Sequence, residues 1–379
     1  MTAEERPPSE VLRSLQILRA VAALLVVYNH AQGLAWRPEN LAWQAIHLNL
    51  SRIGAIGVDI FFVISGVVIT ITASRVKTID EALVFGVKRF LRVVPFYWVI
   101  SGLFAVWMLS RGTAGNDLDP NRLVATFLFY PDGSVPIIYV GWTLCFELLF
   151  YLYTFVYLLC RFSNNVSRLL IGVVAYLICM LFLPERGAAN FFLNPIIAEF
   201  ALGVWLGKSF ISGYRLPVRA AKMTLIVGCG MIAAQMLAGF GPINDAGAVL
   251  TAQVSAQRVM LWGMPSSLIV LGALNLEAKI PPSTTARFFV ALGDASYSIY
   301  LVHLLVFWSL ERWNGLRVFS PDVLIPGAVM AATAVGILVH WFVERPIIRV
   351  SRVLVGAVAQ LISADKGGLK LDEPRRVRV

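Results

Sequence analysis

The run LQILRAVAALLVVYNH, residues 15–30, decides how this chain folds. It is apolar enough to cross a bilayer, yet it carries Arg19 near one end and His30 at the other. Either side chain is costly in hydrocarbon unless it faces protein or water. A helix of this kind is predicted to turn its polar groups toward neighbouring helices.

The rest of the sequence supplies those neighbours. The chain has 379 residues, of which 58% are hydrophobic and 14% charged, whereas a soluble domain carries about 25% charged residues. Apolar windows approaching the ~20 residues of a membrane-spanning helix fall at 14–34, 54–73, 93–110, 138–159, 167–183, 190–210, 219–240, 256–276, 289–310 and 323–344. Residues 121–130 read as a short interfacial helix, and Pro195 and Pro265 as sites of kinks. The fold class is all-α, a polytopic transmembrane bundle of about ten spans. Residues 1–350 form one membrane-embedded domain, and 351–379 a basic tail attracted to anionic lipid. The polar start MTAEERPPSE does not read as a cleavable signal peptide.

Charge sets the expected orientation. With the N-terminus in the cytoplasm, 23 lysines and arginines fall on the inner side and eight on the outer, Arg19 lying within the first span. That bias predicts that both termini are cytoplasmic. The net charge of +10 lies between and after the apolar runs rather than in a soluble unit, so a nucleic-acid partner is not expected. Cys145, Cys160, Cys179 and Cys229 all sit in apolar segments without a CxxC pair, and read as buried structural cysteines.

At ~1.5 Å per residue, His30 lies roughly 24 Å from the inner boundary and Asp59 about 8 Å below the outer one. In a ~30 Å core these depths nearly coincide, and Glu147 and His303 reach a similar layer. Arg19 and His30 are about three turns apart on one helix face, with Arg19 roughly 16 Å nearer the cytoplasm. Lys88, Arg89 and Arg92 add positive charge at the inner entrance, with Arg89 and Arg92 on a shared face. Simpler roles exist for each group. A membrane histidine also serves as a helix–helix hydrogen bond, and the basic triplet as an inner-surface anchor. His340 and Glu344, four apart in HWFVE, read as a packing pair, and Gly57, Ser65 and Gly66 as small residues at a close helix contact. His47 is expected in an outer loop with no special role.

Six stretches in order resemble the acyltransferase-3 family of integral-membrane O-acyltransferases. They are LRSLQILRAVAALLVVYNH, GVDIFFVISG, VKRFLRVVPFYW, GWTLCFELLFY, SYSIYLVH and VERP, covering residues 13 to about 346. Ala20 stands where that family usually has glycine after the arginine. The resemblance implies transfer of an acyl group, usually acetyl, from cytoplasmic acyl-CoA to a hydroxyl of an extracytoplasmic or lipid-linked carbohydrate. It also implies a multi-pass protein of a bacterial-type inner membrane, with no bound cofactor or metal.

On that basis His30 is the expected catalytic base or transient acyl carrier, with Asp59 orienting its imidazole. Arg19, Lys88, Arg89, Arg92, Tyr297 and Ser298 are expected at the donor, where arginines suit phosphate. Trp142, Glu147 and His303 are expected to line the acceptor path. The rival expectation is a transporter or flippase for a glycan or lipid precursor, but no internal repeat with paired broken helices is visible. No histidine is followed by aspartate five residues on, and no HExxH occurs.

Overall fold

A computed structural model describes residues 12–35, 40, 53–110, 119–129, 135–159, 187–238, 243–313 and 318–364. All regular structure among them is helical. Seven helices are long and apolar enough to cross a membrane, and a bent pair gives an eighth. The expected span at 167–183, His47, Cys160, Cys179 and the end of the tail lie outside the described residues.

Helix α1, Arg13–Ala31, is central. It packs on α2 (Ile56–Ala73), on α12 and α13 (Thr284–Asp294 and Ser296–Glu311), and on α14 (Pro321–Val339). Its alanines explain the closeness. Ala20, Ala22, Ala23 and Ala31 are all buried, and small side chains let helix backbones approach where lipid offers no hydrophobic drive to pair. Helix α2 packs most intimately on α7, Ile197–Ile211. A Cβ on Gly66 would lie 2.2 Å from Phe200 O, and one on Gly203 2.1 Å from Val63 O. The small-residue reading of Gly57 and Gly66 therefore holds, since a Cβ on Gly57 would lie 2.2 Å from Ala22 O.

Helix α3 runs from Ile79 to Ser110, fourteen residues earlier than its apolar window suggests. Thr78 Oγ1 accepts from Glu81 N at 3.2 Å, and Glu81 accepts from Lys77 N at 2.6 Å, a reciprocal arrangement that starts the helix before its basic segment. At ~1.5 Å per residue α3 is about 48 Å long, so Lys88, Arg89 and Arg92 sit on a continuous helix rather than in a loop. The expected short helix appears as α4, Pro120–Leu128. It is tied to α3 by Trp98 Nε1 donating to Phe127 O at 2.8 Å. Helix α5 is Trp142–Leu159 and packs on α2 and α3.

Three spans are broken or bent: the sixth and eighth next to the prolines read as kink sites, and the ninth without a proline. The sixth is divided into α6, Gly187–Phe192, and α7, with Pro195 in the turn between them. Helix α8, Val218–Ala238, lies mostly exposed against the helix Met264–Asn275, so Cys229 on α8 is exposed while Cys145 is buried. After the short α9, Ala246–Leu250, the eighth span joins α10, Ser255–Arg258, to α11, Met264–Asn275, through a π-turn, with Pro265 at the start of α11. The ninth bends by 66° at Ala295, between α12 and α13.

Helix α14 continues through a second π-turn, His340–Glu344, into α15, Arg345–Ala364. The 350/351 boundary expected from composition falls inside α15. That helix packs on α3, and Ser351 Oγ donates to Leu91 O at 3.3 Å.

Candidate active site

A cavity of about 110 Å³ lies between α1, α2, α3, α5 and α13. Three guanidinium groups, Arg19, Arg89 and Arg92, and one carboxylate, Glu147, line it. Glu147 accepts from the Tyr151 hydroxyl and from Ser65 Oγ at 3.4 Å. The wall therefore carries an excess of positive charge in a place that disfavours unpaired charge, which suits an anionic occupant.

The three arginines are held differently. Arg89 donates to Thr72 Oγ1 at 2.5 Å and lies over the rings of Phe85 and Tyr151, 5.3 and 5.8 Å from their centres. Arg92 donates to Glu344 Oε1 at 3.1 Å. Glu344 is itself buried, and accepts from Ser298 Oγ at 2.7 Å while lying 2.7 Å from His340 Nδ1. The HWFVE pair is thus real, and it anchors Arg92. Ser298 holds Glu344 and does not line the cavity. Tyr297 does line it, with its hydroxyl donating to Val93 O at 2.9 Å. Arg19 makes no hydrogen bond among the described residues, which leaves its donors for a ligand. Lys88 is exposed and off the cavity wall.

The end of the cavity nearest His303 is lined by Phe61, Thr143 and Tyr300. The Tyr300 hydroxyl bonds Thr143 Oγ1 at 2.9 Å and donates to Val140 O at 3.1 Å. Its ring centre lies 6.1 Å from that of His303, which does not line the cavity. Beyond this tyrosine the two histidines meet. His303 Nε2 is 3.1 Å from His30 Nδ1, and the ring centres are 5.0 Å apart. His30 Nδ1 also lies 3.0 Å from Val26 O, and His303 Nδ1 lies 3.3 Å from Ile299 O. The edge of Tyr139 packs against His30. Matched depth in sequence anticipated a shared layer; the direct contact is new.

Asp59 is elsewhere. Arg258 Nε donates to its Oδ1 at 2.9 Å and Arg258 Nη2 to its Oδ2 at 2.7 Å. Both residues are buried, and the guanidinium also donates to Ile243 O and Ala55 O. The Trp142 and Trp262 rings lie 5.5 and 4.7 Å from its centre. Both Asp59 oxygens are thus committed to a bidentate ion pair, so the structure does not bear out Asp59 as the group that orients His30. Trp142 joins this cluster rather than the cavity wall. Arg258, one of the eight charges assigned to the outer side, is inside the bundle. Glu199 on α7 is fully buried against Asp59, where one carboxyl can bond the other when a proton is shared between them, and it has no other hydrogen-bond partner among the described residues. An acidic residue in the apolar run PIIAEFALG was a readable signal for it.

An arginine-walled cavity beside a histidine pair in a helical bundle can hold an anionic donor near a base. The family described as an acyltransferase domain matches residues 12–344. The chain belongs to the acyltransferase-3 family. This member is a multi-pass membrane acyltransferase, and the match ends where α15 begins. The chain is 31% identical over 313 residues to the exopolysaccharide production protein ExoZ of Rhizobium meliloti (strain 1021), covering 79% of this chain and 91% of that protein. It is 27% identical over 375 residues to the acyltransferase MdmB of Streptomyces mycarofaciens, covering 90% of this chain and 93% of that protein. No solved structure matches the chain.

Proposed function

We propose that this acyltransferase moves an acetyl group from cytoplasmic acetyl-CoA to a hydroxyl of an extracytoplasmic or lipid-linked carbohydrate. The observation that carries the reading is the placement of an arginine-lined cavity one tyrosine away from the His30–His303 pair. Similarity to an exopolysaccharide production protein supports a surface polysaccharide as the acceptor.

Volume limits how the donor sits. Ligand pockets usually enclose about 300–1,000 Å³, so a cavity of about 110 Å³ takes only the slim thioester arm. The nucleotide stays at the mouth, where the exposed Lys88 can meet its phosphates. Arg19 and Arg89 pair with anionic groups further in. Arg92 contributes charge from its anchored position. His30 takes the proton from the acceptor hydroxyl as its oxygen attacks the thioester carbonyl carbon. The carbon–sulfur bond then breaks, and the imidazolium returns the proton to the departing thiolate. The orientation with both termini in the cytoplasm places the basic end of α3 on the donor's side. Moving Arg258 from the outer side to the interior sharpens the charge bias behind that orientation.

The test is thioester consumption by the purified full-length protein. Free thiol should appear from acetyl-CoA in the presence of surface glycan. It should fall by about 10²–10⁴-fold in His30→Ala, the range for losing a general base, while the protein still inserts. A loss under tenfold removes His30 from that role. Thioester left intact by wild-type protein, with glycan or lipid-linked precursor moved across vesicles, would establish a transporter instead.

A further inference from the structure

We propose that His303 is the positioning residue for His30: its Nε2 lone pair accepts the proton on His30 Nδ1 and so leaves His30 Nε2 as the base. This rests on the reading of His30 given above, but it comes from a different observation, the three contacts made by the two imidazoles.

Those contacts admit one assignment of protons. A backbone carbonyl can only accept. His303 Nδ1, 3.3 Å from Ile299 O, therefore carries hydrogen, which leaves a lone pair on Nε2 of a neutral ring. His30 Nδ1, 3.0 Å from Val26 O, likewise carries hydrogen and shares it with His303 Nε2 at 3.1 Å. His30 Nε2 then holds the only uncommitted lone pair of the two rings. The opposite assignment sets lone pairs against carbonyl oxygens at both backbone contacts.

The arrangement also decides which ring takes a proton. A proton on His30 Nε2 leaves every contact intact and strengthens the Nδ1–H···Nε2 bond, because its donor is now charged. A proton on His303 Nε2 would set two N–H groups against each other. During transfer, His303 thus holds the ring angle and stabilises the imidazolium, a role often filled by a carboxylate. No carboxylate contacts either ring among the described residues; Asp59 is engaged by Arg258. The titratable groups packed against the pair are Tyr139, from the turn before α5, and Tyr300 on α13.

The experiment compares His303→Gln with His303→Leu in the full-length protein. A glutamine can place an amide oxygen near the position of Nε2, whereas leucine suits an apolar site and accepts nothing. Reaction with diethyl pyrocarbonate, located by peptide mass spectrometry, reports the free lone pair of His30 without requiring acyl transfer. Wild-type protein should be modified at His30 and not at His303. Leucine should slow His30 modification and lower kcat for acetyl-CoA by about 10–100-fold, the usual cost of losing an orienting partner, with KM little changed. Glutamine should restore both to within about tenfold of wild type. A packing role predicts the reverse order, leucine above glutamine, and that order would overturn the proposal, as would equal labelling of His30 in all three proteins. Should the leucine variant fail to accumulate, His303→Met serves in its place. If wild-type protein consumes no thioester but labelling follows the predicted order, the functional reading falls and the positioning of His30 stands.

Discussion

Removing Asp59 should unfold this protein before it slows it. Asp59→Ala leaves Arg258 with two carbonyl bonds, to Ile243 and Ala55, and without its bidentate partner, inside a bundle where it is 1% exposed. Breaking one side of such a pair costs about 3–5 kcal/mol, or about 10²–10⁴-fold in the ratio of folded to unfolded protein. Asp59→Asn keeps one acceptor oxygen for the guanidinium and should lose less. Asp59→Leu combined with Arg258→Met removes both charges, and such paired apolar replacements are often neutral or stabilising. The double variant should therefore recover most of the loss. The measurement is thermal unfolding of detergent-solubilised protein, followed by size-exclusion chromatography, with acetyl-CoA turnover of the folded fraction measured in parallel. The reasoning fails if Asp59→Ala melts like wild type yet is inactive, because the carboxylate would then serve the chemistry.

Three other outcomes are expected. Arg19→Gln should raise the acetyl-CoA concentration for half-maximal rate by about 10–100-fold, the worth of a hydrogen bond to a charged group, in a steady-state titration. Gly66→Ala should destabilise by about 1–3 kcal/mol, read as a lower unfolding temperature, because its Cβ meets the Phe200 carbonyl at 2.2 Å. A reporter fused after Val379 should lie on the cytoplasmic face, as should a label on Lys88; appearance of either on the outer face would reverse the assigned topology.

Much of this was legible in the sequence, because depth in a membrane follows from counting residues. Counting placed His30 and His303 in one layer, and located the arginines that line the cavity. It could not give rotation about each helix axis. Asp59 shares the depth of His30 but points toward Arg258, 199 residues away in sequence, and only packing decides between two such neighbours. Arg258 stood at the outer end of the window 256–276, after the polar stretch TAQVSAQ, and was counted with the outer charges; residues 255–258 form helix α10, which carries it into the bundle. The start of α3 was readable in Thr78 and Glu81, yet the basic residues that follow lowered its hydropathy and moved the apparent boundary to residue 93. The bend at Ala295 has no proline to announce it, and Gly293, which lets α12 sit against Gln16 of α1, is the nearest local cue.

On the function proposed above, the position of Tyr300 bears on electrical insulation. A membrane holds about 2.3 kcal/mol per elementary charge for every 100 mV across it, and a wet passage lined by arginine and histidine would discharge it. The Tyr300 ring, its hydroxyl bonded to Thr143 and to the Val140 carbonyl, stands between the arginine-lined cavity and the histidine pair. On the same reading, an enzyme that keeps this ring in place except while an acyl group passes would spend a thioester on each transfer without also spending the membrane potential.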